Sequence, residues 1–387
     1  MEKFDWKLTI SLNILKLKVV GLWPAGDETY RPNLYTLWAI FCITLFTFGH
    51  NFFQAINIIF IFSDLEAVVA STFVTLPELL TLLKVYGVIR NMKLVKQLMV
   101  VLNSDIFQPK NARQINLIGP SLKFWKIIYV LYWSASLGAI FFWSTYPLMD
   151  KSFKDYRLPF LAWYPYNNKI SPFYEITYIY QILGVCFIAT TALSIDTLIA
   201  ALNVYTGAQF DILADNIKHL YDDTSTDFNE KLINSVRHHR EILKFAENTG
   251  KFSNWIVMGQ FFISAISIGI TMFQLTSVKS TVEIFMFCWF GNEVEVKVYN
   301  NFPLVLTTHI TLFFFKSNQL PYAAYESNWI NAPTDVKTKM ILFIMRCQKP
   351  CKMSALNLFY LSLNTFMSIL RASWSYFALL HQVSSRG

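Results

Sequence analysis

The residue types that ordinarily carry chemistry are few in this chain and poorly spaced for it. Cys347 and Cys351 sit four apart and would share a helix face, but no second cysteine pair or histidine completes a metal set. His238 and His239 are adjacent and lack an HExxH frame, so they are expected on a helix surface or between subunits. No Walker loop, GxGxxG or GxSxG occurs. Three acids, Glu78, Glu175 and Asp196, lie in apolar stretches. Glu78 follows Pro77 and precedes Lys84 by six residues, which predicts a place near the inner end of its helix. Glu175 and Asp196 fall near opposite ends of theirs, so none marks the bilayer midplane as a secondary transporter's site would. No catalytic residue, metal or cofactor is expected.

The polar residues with a regular spacing lie at the other extreme of the chain. The stretch LSLNTFMSILRASWSYFALLHQV, Leu361 to Val383, is long enough to cross a bilayer. At 100° per residue, Asn364, Ser368, Arg371, Ser375, Leu379 and Gln382 fall within about 80° of one another. An arginine at mid-span costs about 2.5–3.5 kcal/mol on insertion scales, so this stripe must face protein or water. A polar stripe serves either helix packing or a wet passage.

The elements that position these residues are membrane spans. Of 387 residues, 54% are hydrophobic and only 15% charged, against about a quarter charged in soluble domains. Runs of about 20 apolar residues predict spans at 34–63, 65–88, 127–146, 172–203, 252–276 and 356–383. A further, short span is placed at 281–297. The expected class is therefore an all-α membrane protein, one polytopic unit of seven transmembrane helices. Of the 33 Lys and Arg residues, 26 fall on one side of the spans and six on the other, with Arg371 inside the last span. That asymmetry places the N-terminus in the cytoplasm and the C-terminus outside. This is the reverse of a G-protein-coupled receptor. The net charge of +8 is thus a topology signal and not a nucleic-acid footprint.

Between spans, residues 204–251 and 330–355 are expected to form a helical cytoplasmic anchor. Leu232, Val236, Ile242, Leu243 and Phe245 recur near helical spacing and predict an inward extension of the span that follows. Outward, spans two to four are rich in aromatic and small residues. Val69, Thr72 and Phe73 share one side of span two. Ala135, Gly138 and Phe142 share a face of span three, and Tyr178 and Gln181 offer a hydroxyl and an amide in span four. Small-molecule sites between helices have this character, and so does ordinary helix packing.

Several stretches together resemble the insect odorant receptors: LPFLAWYP (Leu158–Pro165), the Tyr178–Gln181 pair, FGNEV (Phe290–Val294), SNQLPYAAYESNW (Ser317–Trp329), and LSLNTFMSIL and SWSYFALL near the end. Their order covers nearly the whole chain. The resemblance implies an odorant-tuned subunit of a ligand-gated, non-selective cation channel, assembled as a heterotetramer with the odorant co-receptor in the plasma membrane of an olfactory sensory neuron. It implies a volatile small-molecule ligand in an outer pocket, matched on span three by Ala135, Gly138 and Phe142. It also implies a pore lined by the last helix. With Ser375–Phe377 as register, Leu379, Gln382 and Val383 line up with the constriction, and Arg371 and Ser375 lie inward of it. Gustatory receptor channels share this plan and are the near alternative, with a secondary transporter behind them.

Two departures stand out. VYNNFPLVLTTHITLFFFK, residues 298–316, separates motifs that the family runs together. Its 19 residues begin with a valine, whose codons start GT, and end where T-rich sequence and AAG would stand. These are the ends of a short intron, so the segment is expected to be an aberrant insertion. Just before it, the family's sixth helix is cut short, its outer half having no counterpart here.

Overall fold

Asparagine and aspartate open three of the long helices by accepting from the first turn, which satisfies backbone donors that no helix can serve internally. Asn33 accepts from Thr36 N at 2.8 Å, Asp64 from Ala67 N at 3.2 Å and Asn111 from Gln114 N at 2.8 Å. The structure is a computed structural model. It describes residues 4–6, 10–25, 30–220, 228–277, 316–327, 329, 333–349, 354–355, 359–360 and 363–384. The expected span 281–297, most of the 298–316 insertion and the FGNEV motif lie outside these residues.

The helices are α1 (Ser11–Val19), α2 (Leu34–Cys42), α3 (Gly49–Phe60), α4 (Leu65–Leu102), α5 (Ala112–Met149), α6 (Phe173–Lys218) and α7 (Phe228–Ser277). A helix over 316–326, here α8, is followed by α9 (Thr334–Cys347) and α10 (Leu363–Ser384). A π-helical turn, Ile43–Phe48, joins α2 to α3 without a break. Its loosened ladder is used: the Tyr180 hydroxyl donates to Leu45 O at 2.8 Å. Gly49 admits that ring, since a Cβ there would lie 2.8 Å from the hydroxyl.

Among the described residues five helical runs, α2–α3 taken together and α4 to α7, are long and apolar enough to cross a membrane. They run well past the spans read from hydropathy. The 46 residues of α6 and 50 of α7 extend roughly 69 and 75 Å at 1.5 Å per residue, against about 30 Å of hydrocarbon. Half of each must project beyond it. The projecting half carries the core: Ile195, Tyr205, Phe210 and Leu213 of α6 pack with Leu232, Ile242 and Phe245 of α7, Leu320 of α8 and Met340 of α9. The helical extension over 228–251 is therefore present. The core also takes in Trp6 and Leu17 from the N-terminal segment and Phe107 after α4. In the other half, large apolar side chains are exposed instead, among them Phe41, Phe52, Val130, Phe141, Ile176 and Leu183. That inversion is what a lipid-facing belt requires.

Three expectations need correction. His238 and His239 are not on a helix surface; both are buried, at 4% and 6% exposure. His238 Nε2 donates to Gln209 Oε1 at 3.0 Å, and the His239 ring meets Phe343 edge-on. The last helix begins at Leu363, not 356, because Ser354–Ala355 and Phe359–Tyr360 pair as a small antiparallel ladder before it. This helix does not rank among the five apolar spans; its Asn, Arg, His, Gln and Ser residues hold its hydropathy down. Finally, Glu78 is not near a helix end. It sits in the interior of α4, which continues to Leu102.

Candidate functional site

A cavity of about 50 Å³ lies between α4, α5 and α6. Val74, Pro77 and Glu78 come from α4, and Ser136, Ala139, Ile140 and Trp143 from α5. Val185, Ile188, Ala189 and Leu193 come from α6. The α5 and α6 sets repeat at three- and four-residue steps, so each presents one helical face. The small residues Ser136, Ala139 and Ala189 make the space. Its remaining wall is Phe160, from the loop between α5 and α6, whose ring stacks on Trp143 at 5.8 Å and 9°. A cavity that holds one benzene measures about 150 Å³. An organic molecule therefore enters only if a wall moves, and the Phe160 side chain is the one carried on a loop.

That loop is pinned from below. Gln181, fully buried, accepts from Phe160 N at 3.0 Å and donates to Phe160 O at 2.9 Å and to the Tyr164 hydroxyl at 3.3 Å. Burial pushes the Tyr164 phenol above its ordinary range, so it stays protonated. Tyr178 donates to Ser144 O at 2.6 Å, tying α6 to α5 at the same level. Gln181 and Tyr178 thus hold the backbone around the cavity while lining none of it.

A polar group of side chains backs the α4 wall. Glu78 is 5% exposed, and His50 Nε2 of α3 lies 3.5 Å from its Oε2. The Gln54 amide nitrogen is 2.8 Å from the same imidazole nitrogen, and its oxygen accepts from Thr75 at 3.0 Å. The imidazole fits against α6 only because residue 184 is glycine; a Cβ there would sit 2.6 Å from Nδ1. Farther along α4, Lys84 reaches Asp196 of α6 at 2.7 Å, both essentially inaccessible. Lys84, toward the end of the span predicted over 65–88, is inside the bundle. Among the described residues no cluster of three or more metal-ligating side chains occurs.

The structure places the other sequence-selected residues as follows. Val69 and Phe73 pack against Ile266 and Ile270 of α7, and Thr72 lies half-buried beside them. Ala135, Gly138 and Phe142 lie one residue short of the face that borders the cavity, and a Cβ on Gly138 would meet nothing. None of the eight pocket candidates lines this cavity, although the same three helices form it. Glu78, weighed from the sequence only as a transporter acid, and His50 were not among the pocket candidates; the signal was an acid and a histidine embedded in apolar sequence. In α10, Arg371, Ser375, Leu379 and Gln382 are all exposed in the single chain, Leu379 at 61%, while Ser373 is buried. The Val383 side chain lies outside the description. Cys347 is buried in the core of the projecting half, and Cys351 is outside the described residues.

Comparison with known proteins agrees along the length of the chain. The model of the family described as 7tm odorant receptor matches residues 64–374. Odorant receptor Or1 of Anopheles gambiae is 23% identical, over 99% of this chain and 97% of that one. Odorant receptor 13a of Drosophila melanogaster is 24% identical, over 97% and 96%. The fold is shared with the insect olfactory receptor OR5 from Machilis hrabei, at a TM-score of 0.84 and 19% identity over 98% of this chain and 100% of that one. It is shared with the same receptor in complex with eugenol at a TM-score of 0.81. The chain belongs to the insect 7tm odorant receptor family, and it is a receptor chain, not an enzyme.

Proposed function

We propose that this chain is the odorant-tuned subunit of a ligand-gated, non-selective cation channel that works as a heteromer with the odorant co-receptor. Its place is the plasma membrane of an olfactory sensory neuron, with the N-terminus and the projecting core in the cytoplasm. A small volatile enters the cavity between α4, α5 and α6 by displacing the Phe160 ring. Val69, Thr72, Phe73, Ala135, Gly138, Phe142, Tyr178 and Gln181 form the surrounding frame, and rotation of α5 by one residue would bring its three into the wall.

The observation that carries this reading is the last helix. Arg371, Ser375 and Gln382 are exposed on a 22-residue helix of a membrane protein. Polar groups in that position are stabilised by water or another subunit, not by lipid. A central aqueous path shared between subunits supplies both, and Leu379 gives an apolar ring able to close the path by dewetting. Arg371 then faces a wide inner vestibule or a subunit boundary, where it does not oppose cation flow.

Co-expression with the co-receptor in oocytes, under voltage clamp and with a volatile panel, tests this. The expected result is ligand-evoked cation current whose reversal potential is the same for every active ligand. A flux that follows a substrate gradient, or no current from a chain present at the surface, would overturn it.

A further inference from the structure

The nine-residue helix α1 is too short to span a bilayer, yet it presents an apolar face. Its buried side chains are Asn13 and Leu17. Asn13 donates to the Thr197 hydroxyl of α6 at 2.8 Å, which fixes that side against the bundle. On the other side Leu12, Leu15 and Val19 are 58%, 56% and 53% exposed in the single chain. They fall within about 60° of one another around the helix axis. Lysines border this ridge on both edges, Lys18 about 60° beyond Leu15 and Lys16 about 40° beyond Leu12.

The contacts of α1 fix its depth. Trp38 Nε1 of α2 donates to Val19 O at 2.9 Å, and the Tyr35 hydroxyl donates to Lys18 O at 3.1 Å. Lys16 Nζ donates to the Tyr129 hydroxyl of α5 at 3.0 Å and lies 3.1 Å from the centroid of the Trp133 ring. Residues 35, 38, 129, 133 and 197 all stand within six residues of a span end read from hydropathy, at 34, 127 or 203. Six helical residues rise about 9 Å, so α1 lies at the edge of the hydrocarbon. Tyrosine and tryptophan concentrate at that boundary. The neighbouring turns of α2 and α5 expose Leu37, Phe41, Val130 and Leu131 in the same way, so the ridge belongs to the lipid-facing belt.

The charge selects the lipid. Residues 6–26 hold Lys7, Lys16 and Lys18 and no Asp or Glu. Among the described residues neither Lys16 nor Lys18 pairs with a carboxylate. The Lys16 ammonium has three N–H groups and gives one of them to Tyr129. An ammonium at the rim of a low-dielectric layer is stabilised by an anion, and the anions present at that depth are lipid headgroups.

We propose that α1 is an interfacial helix that binds anionic phospholipid of the phosphatidylserine type. Leu12, Leu15 and Val19 lie among the acyl chains, and Lys16 and Lys18 hold the headgroup. The proposal requires the membrane class of the chain and neither its ligand cavity nor its pore.

The test is lipid-induced stabilisation of the purified full-length chain in neutral detergent. The probes are dioctanoyl phosphatidylserine and dioctanoyl phosphatidylcholine, alike in chains and different in charge. Phosphatidylserine is expected to raise the unfolding midpoint at a concentration about 10-fold or more below that needed by phosphatidylcholine. Lys16→Gln combined with Lys18→Gln should erase that difference. Lys16→Arg with Lys18→Arg should retain it, and Lys18→Gln alone, a change at an exposed position, should reduce it in a chain that still folds. Lys151→Gln with Lys154→Gln removes the same charge from exposed positions beyond α5 and should leave the preference intact. Equal action of the two lipids on the wild type overturns the proposal. So does a preference that survives loss of Lys16 and Lys18, or one that falls equally with Lys151 and Lys154. In nanodiscs, a fluorophore on Leu15→Cys, read above the background of the parent chain, should be quenched by lipid spin-labelled near the headgroup. A fluorophore that the quencher does not reach would place protein on the ridge and overturn the proposal as well.

Discussion

Gln181 holds Phe160 by both of its backbone polar groups, accepting from the N–H at 3.0 Å and donating to the carbonyl at 2.9 Å. A side chain of α6 thereby does for a loop residue what a neighbouring strand would do. It fixes the backbone from which the cavity's movable ring swings. Gln181→Leu leaves both groups of Phe160 buried and unpaired, at about 1–3 kcal/mol each. The expected outcome is a lower unfolding midpoint together with a higher ligand concentration for half-maximal current. Gln181→Glu should fall between, since a carboxylate still accepts from Phe160 N but cannot donate to its carbonyl. Equal behaviour of wild type and Gln181→Leu in both assays would remove the loop from the ligand's path.

The Lys84–Asp196 pair, 2.7 Å apart and closed to solvent, joins α4 to α6 just beyond the cavity. Removing one partner of such a pair strands a buried charge and costs about 3–5 kcal/mol. Lys84→Met is expected to abolish most surface expression. Replacing both, Lys84→Met with Asp196→Leu, is expected to restore much of it, because the stranded charge is gone. A double variant as defective as the single one would show that Lys84 acts through other contacts.

Gly184 is a steric prediction. A methyl group there would meet the His50 imidazole at 2.6 Å, and that ring is packed against Gln54 and Phe160. Gly184→Ala should destabilise by about 1–3 kcal/mol, as overpacking does. His50→Ala in the same chain should relieve the clash. The midpoints of the two single variants and the double variant measure the coupling, and simple additivity would argue against the contact.

Leu379 separates stability from conduction. At 61% exposure in the single chain, truncation to Ala is expected to change folding stability by no more than about 0.5 kcal/mol. In the proposed channel the same truncation would widen the apolar ring. The expected outcome is a raised ligand-independent current or altered ion selectivity at unchanged surface level. Unchanged conduction would move the constriction elsewhere on the helix.

The insertion makes a prediction about the chain itself. Lys316 pairs with Asp211 and lies 3.0 Å from Ser121 Oγ, close above Gly207. Excision of residues 298–316 joins Lys297 to Ser317, so a lysine again precedes the serine. The shortened chain should therefore keep an Asp211 partner and reach the surface at least as well as the full one. Sequencing of mature transcript is the companion measurement. Abundant message carrying all 57 nucleotides, with loss of surface protein on deletion, would make the segment integral.

The sequence by itself determined the all-helical membrane class and the rough positions of the five apolar spans among the described residues. These depend on transfer of local stretches from water to lipid, a sum over neighbours in the chain. It also singled out the polar stripe of the last helix and the helical stretch over 228–251. What it left open was azimuth and depth. A rotation of about 100° separates Ala135, Gly138 and Phe142 from Ser136, Ala139 and Trp143, and only the packing of α4, α5 and α6 selected the latter three for the cavity. The unbroken run of α6 past the predicted span end at 203 to Lys218 was hidden because hydropathy falls where protein, not lipid, covers a helix. Lys84 pairs with Asp196, 112 residues away in the chain. Tertiary structure decided these points because burial of a polar group is settled by partners distant in sequence, which no local window contains.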